Sequence, residues 1–150
     1  MSDPADPSDR TVHPPIAVVC GLLEKDDLLL VAQRSHGPLA GRWEFPGGKL
    51  QTGEDPAQAL RREWLEELGC EIEVLSSMGS LRHHYPWVCI ELQAFHARMP
   101  QGGASPRALE HQALLWVSAA EILHLDLADA DLPFARQWAA SKQRSGRPHA

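Results

Sequence analysis

Glu63, Glu66 and Glu67 stand at i, i+3 and i+4 of a segment that reads as helix. That spacing gathers three carboxylates on one helix face, roughly 110° from the apolar stripe of Leu60, Trp64 and Leu68. Glu63 and Glu67 form a like-charge i,i+4 pair, which destabilises an isolated helix by a few tenths of a kcal/mol. One reading of the cluster is a solvated acidic face. The other is a site for a hard divalent cation, since Mg²⁺ takes a few carboxylate oxygens together with waters and substrate phosphates. Between Glu54 and Glu67 lie five carboxylates (Glu54, Asp55, Glu63, Glu66, Glu67) against Arg61 and Arg62, a net −3 of the total −6. The loop before them holds Pro46-Gly47-Gly48, where missing side chains let backbone groups approach a ligand.

The helix itself is written in its ends. Asp55 is a good N-cap, Pro56 suits N1, Gln58 at N3 makes a capping box, and Gly69 offers a left-handed exit. Ala57, Leu60, Trp64 and Leu68 supply the face that must be buried. Around it, Ile16–Leu23 and Leu28–Gln33 read as buried strands, joined by a turn at Glu24–Asp27. A Gly/Pro loop over 34–42 leads to the short, Gly-rich Trp43–Lys49. Glu71–Met78, Trp87–Ala97 and Leu114–Val117 read as further strands, and Gln101–Arg107 as a flexible loop. Ser118 caps a brief helix over Ala119–Leu123, and a last helix opens at Asp131-Leu132-Pro133 and runs to about Ser141. Strands alternating with substantial helices predict an α/β (α+β) sandwich with a mixed β-sheet.

With 150 residues, 43% hydrophobic and 23% charged, the chain suits one domain with a real core. Residues 14–141 are expected to form it. Residues 1–13, acidic and Pro-punctuated, read as a disordered lead-in without the apolar stretch of a secretory signal, and 142–150 as a flexible tail. No apolar run approaches the ~20 residues of a membrane span. Cys20, Cys70 and Cys89 are odd in number and widely spaced, which argues against disulfides or zinc and for a reducing cytoplasm. The negative charge argues against binding duplex nucleic acid. A monomer or a homodimer is expected.

Gly48, Glu54, Arg62-Glu63-Trp64-Leu65-Glu66-Glu67 and Gly69-Cys70 resemble the Nudix box, G-x5-E-x7-R-E-U-x-E-E-x-G-U, where U is bulky and apolar. All seven fixed positions are filled. Trp64 is larger and Cys70 smaller than the usual U. Gly41–Lys49 (GRWEFPGGK), Glu110-His111-Gln112 with Leu115-Trp116-Val117, and Leu132-Pro133-Phe134-Ala135 are similar to the MutT-like branch, which hydrolyses nucleoside triphosphates. The resemblance spans about residues 14 to 140 and implies a mixed sheet with helices on both faces.

It also implies roles. Glu63, Glu66, Glu67 and the Gly47 carbonyl would hold Mg²⁺, with Mn²⁺ an alternative. Glu110 would reach the metal or act as base. Arg62 would orient Glu63, and Gly48, Glu54 and Gly69 would be structural. The metal would neutralise phosphate charge and acidify the attacking water. The implied activity cleaves a nucleoside triphosphate to monophosphate and pyrophosphate, in sanitation of the nucleotide pool, with 8-oxo-dGTP or a cytosine nucleotide among the substrates. Rivals are hydrolysis of a dinucleoside polyphosphate or a nucleotide sugar, and a non-catalytic nucleotide sensor. Arg34 reads either as a phosphate or base contact or as a surface arginine. Phe45 and Tyr85 read either as base-stacking residues or as core. His83 and His84, adjacent on a strand, point to opposite faces and do not share an ion. Aligning the late Pro-containing segment places Arg136 at the base. Offering donors only, it predicts weak or no preference for 8-oxo-dGTP over dGTP.

Overall fold

The computed structural model describes residues 14–145. Its apolar runs form β1 (Ile16–Lys25) and β2 (Leu28–Gln33), followed by two short strands, β3 (Trp43–Glu44) and β4 (Gly47–Lys49). Helix α1 (Pro56–Leu68) comes next, then the long hairpin of β5 (Glu73–Tyr85) and β6 (Val88–Arg98). β7 (Ala113–Val117), the short α2 (Ala119–Ile122), a 3-10 turn (Asp129–Asp131) and α3 (Leu132–Ser145) complete the chain.

The strands join in the order β3-β2-β1-β6-β5, with β4 also on β1 and β7 also on β2. β1 and β6 run parallel, Ile16 beside Ile90 and Leu23 beside Ala97, while the other pairings are antiparallel. The sheet is therefore mixed. Successive side chains of a strand point to opposite faces, and in β1 and β2 both faces are buried. Val19, Leu23 and Leu30 join Leu60, Trp64 and Leu68 of α1. Cys20, Leu22, Leu29 and Val31 join Phe134, Ala135 and Trp138 of α3. Burial on both faces is why these strands are continuous apolar runs rather than alternating ones.

Helix α1 begins and ends as its caps dictate. Asp55 Oδ1 accepts from Gln58 N at 2.9 Å, Gln58 Oε1 accepts from Asp55 N at 3.0 Å, and Gly69 sits at φ +62°. The Trp64 indole, fully buried, donates to Pro46 O at 2.9 Å and so locks the helix to the loop that precedes it.

Several boundaries shift by one or two residues, β1 ending at Lys25 and β6 starting at Val88, and two elements differ by more. The strand expected over Glu71–Met78 starts at Glu73 and continues to Tyr85, through an irregularity between Val74 and Gly79. It is an edge strand with mostly exposed side chains, so pairing with β6, rather than hydrophobic patterning, carries it onward. The last helix starts at Leu132 and continues past 141 to Ser145. Lys142 is no part of a free tail: its Nζ pairs with Glu24 and, at 2.8 Å, with Asp27 Oδ1. The expected lead-in 1–13 and residues 146–150 lie outside the described residues. Among the described residues no helix is long and apolar enough to cross a membrane.

Candidate active site

The acidic face of α1 lies over the β4 strand that Trp64 ties to it. Arg62 organises it with the planar guanidinium fork. Nε and Nη2 donate to the two Glu54 oxygens at 2.7 and 2.9 Å, Nη2 also to Lys49 O at 3.0 Å, and Nη1 to Glu63 Oε1 at 2.7 Å. Glu54 Oε1 accepts from Gln51 N at 2.9 Å. These donors hold the Glu54 carboxyl down at about 2. Glu63 rests on Gly48: a Cβ there would lie 2.4 Å from the Glu63 carboxyl carbon. At Gly47 a Cβ would lie 1.8 Å from Val19 O, because β4 pairs there with β1. Glu66 is largely exposed, with only a 3.5 Å contact to Arg62.

One turn further along, Glu67 faces a polar cavity of about 310 Å³ shared with Arg34, Glu44, Glu110 and His111. Loop 101–111 places Glu110 there: Arg107 N and Leu109 N donate to Leu68 O and Glu67 O at the end of α1, and Ser35 Oγ donates to Glu110 O at 2.8 Å. Glu44 accepts from Arg34 Nη1 at 3.0 Å and from His111 Nε2 at 2.8 Å. Three buried polar atoms around this cavity have no partner: Glu67 Oε2, Arg34 Nε and His111 Nδ1. Native proteins pair such atoms unless a ligand, ion or water does so.

Burial raises the Glu67 carboxyl to about 8, with repulsion from Glu63, Glu44 and Glu110 adding to it. The unfolded chain ionises this group near about 4.3. Between those values the folded state holds the extra proton, so stability falls as pH rises through the window. Asp131, buried and raised to about 8 chiefly by desolvation, acts in the same direction. The metal-free protein should therefore melt several °C lower at pH 8 than at pH 6. Thermal scans in chelator check this. A Tm that rises between pH 6 and 8 would contradict the assigned environment.

A second, more apolar cavity of about 250 Å³ adjoins the first across the Arg34–Glu44 pair. Phe45, Tyr85, Trp87, Ile90 and Asp131 are among its walls. Asp131 Oδ2 accepts from Phe45 N at 2.8 Å, which leaves Oδ1 to a ligand. Arg34, Phe45 and Tyr85 thus line one cavity, and Phe45 and Tyr85 also pack on the core.

Arg136 does not join them. It is exposed on α3, outside the lining of either cavity, because Phe134, Ala135, Trp138 and Ala139 take the buried face of that helix. Asp131, read from sequence only as a helix opening, holds the position at the cavity instead. Glu44, His111 and Trp87 were also missed as site residues. Glu44 and His111 stood inside the quoted motifs, the one signal available for them.

Among the described residues no three His, Cys, Asp or Glu side chains already converge as a ready-made metal cage. Mg²⁺ does not need one, because it keeps several waters and binds through one or two carboxylates plus phosphates. The orphaned Glu67 oxygen, beside Glu63 and Glu110, fits that requirement.

A mixed sheet between helices thus carries this acidic helix over a glycine strand. The chain belongs to the NUDIX domain family, which matches residues 12–138. It is 40% identical over 134 residues to the CTP pyrophosphohydrolase of Escherichia coli, covering 89% of this chain and 96% of that protein. It is 40% identical over 130 residues to a putative 8-oxo-dGTP diphosphatase of Mycobacterium tuberculosis, covering 85% and 88%. Among solved structures, the E. coli ORF135 protein superposes with a TM-score of 0.72 at 39% identity, over 90% of this chain and 94% of that one. A MutT NUDIX hydrolase from Burkholderia pseudomallei superposes with a TM-score of 0.75 at 25% identity, over 83% and 98%.

Proposed function

We propose that this protein is a divalent-metal-dependent pyrophosphohydrolase of nucleoside triphosphates, releasing the monophosphate and pyrophosphate. The observation that carries the reading is the unpartnered, buried Glu67 Oε2 among further carboxylates, beside an unpartnered Arg34 Nε. The first asks for a cation and the second for an anion. Glu63, Glu66, Glu67, Glu110 and the Gly47 carbonyl would hold Mg²⁺ or Mn²⁺. When bound, the metal neutralises phosphate charge that would otherwise oppose the approach of an electron-rich nucleophile, and it acidifies the attacking water. Arg62, spread between Glu54 and Glu63, is a positioning residue. Arg34 offers its unpartnered Nε–H to a phosphate, and Glu110, exposed at the cavity, takes the proton of the attacking water. Positioning and charge stabilisation carry the rest.

The adjoining apolar cavity receives the base. Asp131, with one oxygen claimed by Phe45 N, presents one carboxyl oxygen to the base edge. As a carboxylate it accepts from a donor such as cytosine N4–H₂. Protonated, it also donates. On the edge that carries N7, 8-oxoguanine offers a donor (N7–H) beside the O6 acceptor where unoxidised guanine offers two acceptors, and cytosine offers N4–H₂ beside the N3 acceptor. The names of the two relatives, one acting on CTP and one on 8-oxo-dGTP, agree with this, and it replaces the reading based on Arg136.

Pyrophosphate release from CTP, dGTP and 8-oxo-dGTP, with Mg²⁺ and with excess chelator, tests the proposal. Activity should vanish in chelator and return with Mg²⁺ or Mn²⁺. CTP and 8-oxo-dGTP should exceed dGTP in kcat/KM by roughly ten- to a hundred-fold, the cost of one unpaired buried group. Asp131→Ala should compress that ratio. Full activity in chelator would defeat the proposal, as would cleavage of dinucleoside polyphosphates or nucleotide sugars with triphosphates untouched.

A further inference from the structure

Two rings, Tyr85 and Trp87, line one side of the apolar cavity, and His83 packs against Tyr85. His83 and Tyr85 are alternate residues at the end of β5 and so share one face, and Trp87 follows in the turn. His83 meets Tyr85 edge to face, with centroids 4.3 Å apart. Tyr85 and Trp87 stack at 5.0 Å with only 15° between their planes. Tyr85 is anchored at its far end as well, since its hydroxyl oxygen accepts from Ala130 N at 3.0 Å. Trp87 therefore lies on a ring that cannot move away from it.

The turn holding Trp87 is chemically odd. Tyr85 pairs with Val88, so Pro86-Trp87 is a two-residue hairpin loop. Such loops favour Asn-Gly, Asp-Gly or Gly-X at positive φ. Neither Pro86 nor Trp87 adopts positive φ. Proline instead fixes its own φ near −65° and stiffens the turn. The Trp87 indole is 46% exposed and lines the same cavity as Phe45 and Asp131. Among the described residues, no ring other than Tyr85 stacks on it.

We infer that Trp87 is the plate on which the substrate's base stacks, a contact that senses the presence of a base rather than its identity. Every base has a π-face, so aromatic stacking adds affinity for all of them. Asp131 reads the edge; Trp87 reads the plane. The inference rests on the nucleotide-hydrolase reading above and extends it to a residue outside both the acidic helix and the quoted motifs.

The test uses the full-length enzyme with Trp87→Ala and Trp87→Phe. With Mg²⁺, Trp87→Ala should raise KM about ten-fold or more for CTP, dGTP and 8-oxo-dGTP alike, with kcat retained and the ratios between bases unchanged. Trp87→Phe, which keeps a ring, should recover most of the loss. A second readout needs no turnover. In chelator, CMP should quench the tryptophan fluorescence of the wild type, pyrophosphate alone should not, and the quench should largely disappear in Trp87→Phe. Unchanged KM values in Trp87→Ala overturn the assignment, as does a full CMP quench in Trp87→Phe. A change in base ratios with the overall level kept overturns the base-general role. If Trp87→Ala fails to fold, Trp87→Phe fluorescence still decides. If the wild type hydrolyses no nucleotide, the hydrolase reading fails while the CMP quench still tests the plate.

Discussion

Replacing Glu67 with glutamine is expected to lower kcat by about 10²-fold or more with the fold intact. Glutamine keeps the length and the helix propensity of the side chain but removes the charge that a metal would meet. In the metal-free protein that charge is a burden, being mostly buried and surrounded by Glu63, Glu44 and Glu110. The same substitution should therefore raise Tm in chelator, by more at pH 8 than at pH 6, because the wild-type penalty grows through the whole window between the unfolded and folded values. Steady-state kinetics and thermal scans on one preparation provide both readouts. Near wild-type turnover would remove Glu67 from the metal site, and a lowered Tm at pH 8 would contradict its environment.

Two neighbouring glycines should fail in opposite ways. In Gly47→Ala the new methyl would sit 1.8 Å from Val19 O and 2.7 Å from Cys20 Cα, both backbone atoms of the central strand. Backbone cannot swing aside, so β4 must leave β1. We expect a loss of about 3 kcal/mol or more and a Tm lowered by about 10 °C. In Gly48→Ala the methyl meets the Glu63 carboxyl at 2.4–2.8 Å, the far end of a flexible side chain. The carboxyl shifts and the sheet survives. Tm should move little, while kcat falls about 10²-fold, the effect of misplacing a reacting group by about 1 Å. Circular dichroism melts and turnover, measured on both variants, separate the two. A stable, active Gly48→Ala would show that the position of Glu63 is not needed for turnover.

How legible the molecule was depends on the range of the interactions that make each part. Helix α1 was readable because its start and stop are local chemistry: Asp55 and Gln58 cap each other three residues apart, and Gly69 turns the chain out. The carboxylate face followed from helical geometry alone. β5 was read short because its later half is an edge whose pairing with β6 has little apolar signature. The apolar cavity beside the Arg34–Glu44 pair was least legible. Asp131 is held by Phe45 N, 86 positions earlier, and no local spacing announces that bond. Placing Arg136 at the base failed on helix phase: Phe134, Ala135 and Trp138 claim the inner face of α3 and turn Arg136 outward. Glu44 illustrates the same limit, since only the fold brings Arg34 and His111 to its two oxygens.

The parallel pairing of β1 with β6 also sets the timing of assembly on the ribosome. Ile16 and Ile90 are 74 residues apart. At about 5–20 residues per second, β1 emerges roughly 4–15 s before the strand that completes its parallel edge. β2 and β4 arrive sooner and pair with β1 antiparallel. Until β6 appears, a strand buried on both faces in the finished protein presents an unpaired, apolar border. An exposed border of this kind is a template for other chains. The nascent protein is thus at its most adhesive after its acidic helix has been made and before that helix has a completed sheet to cover.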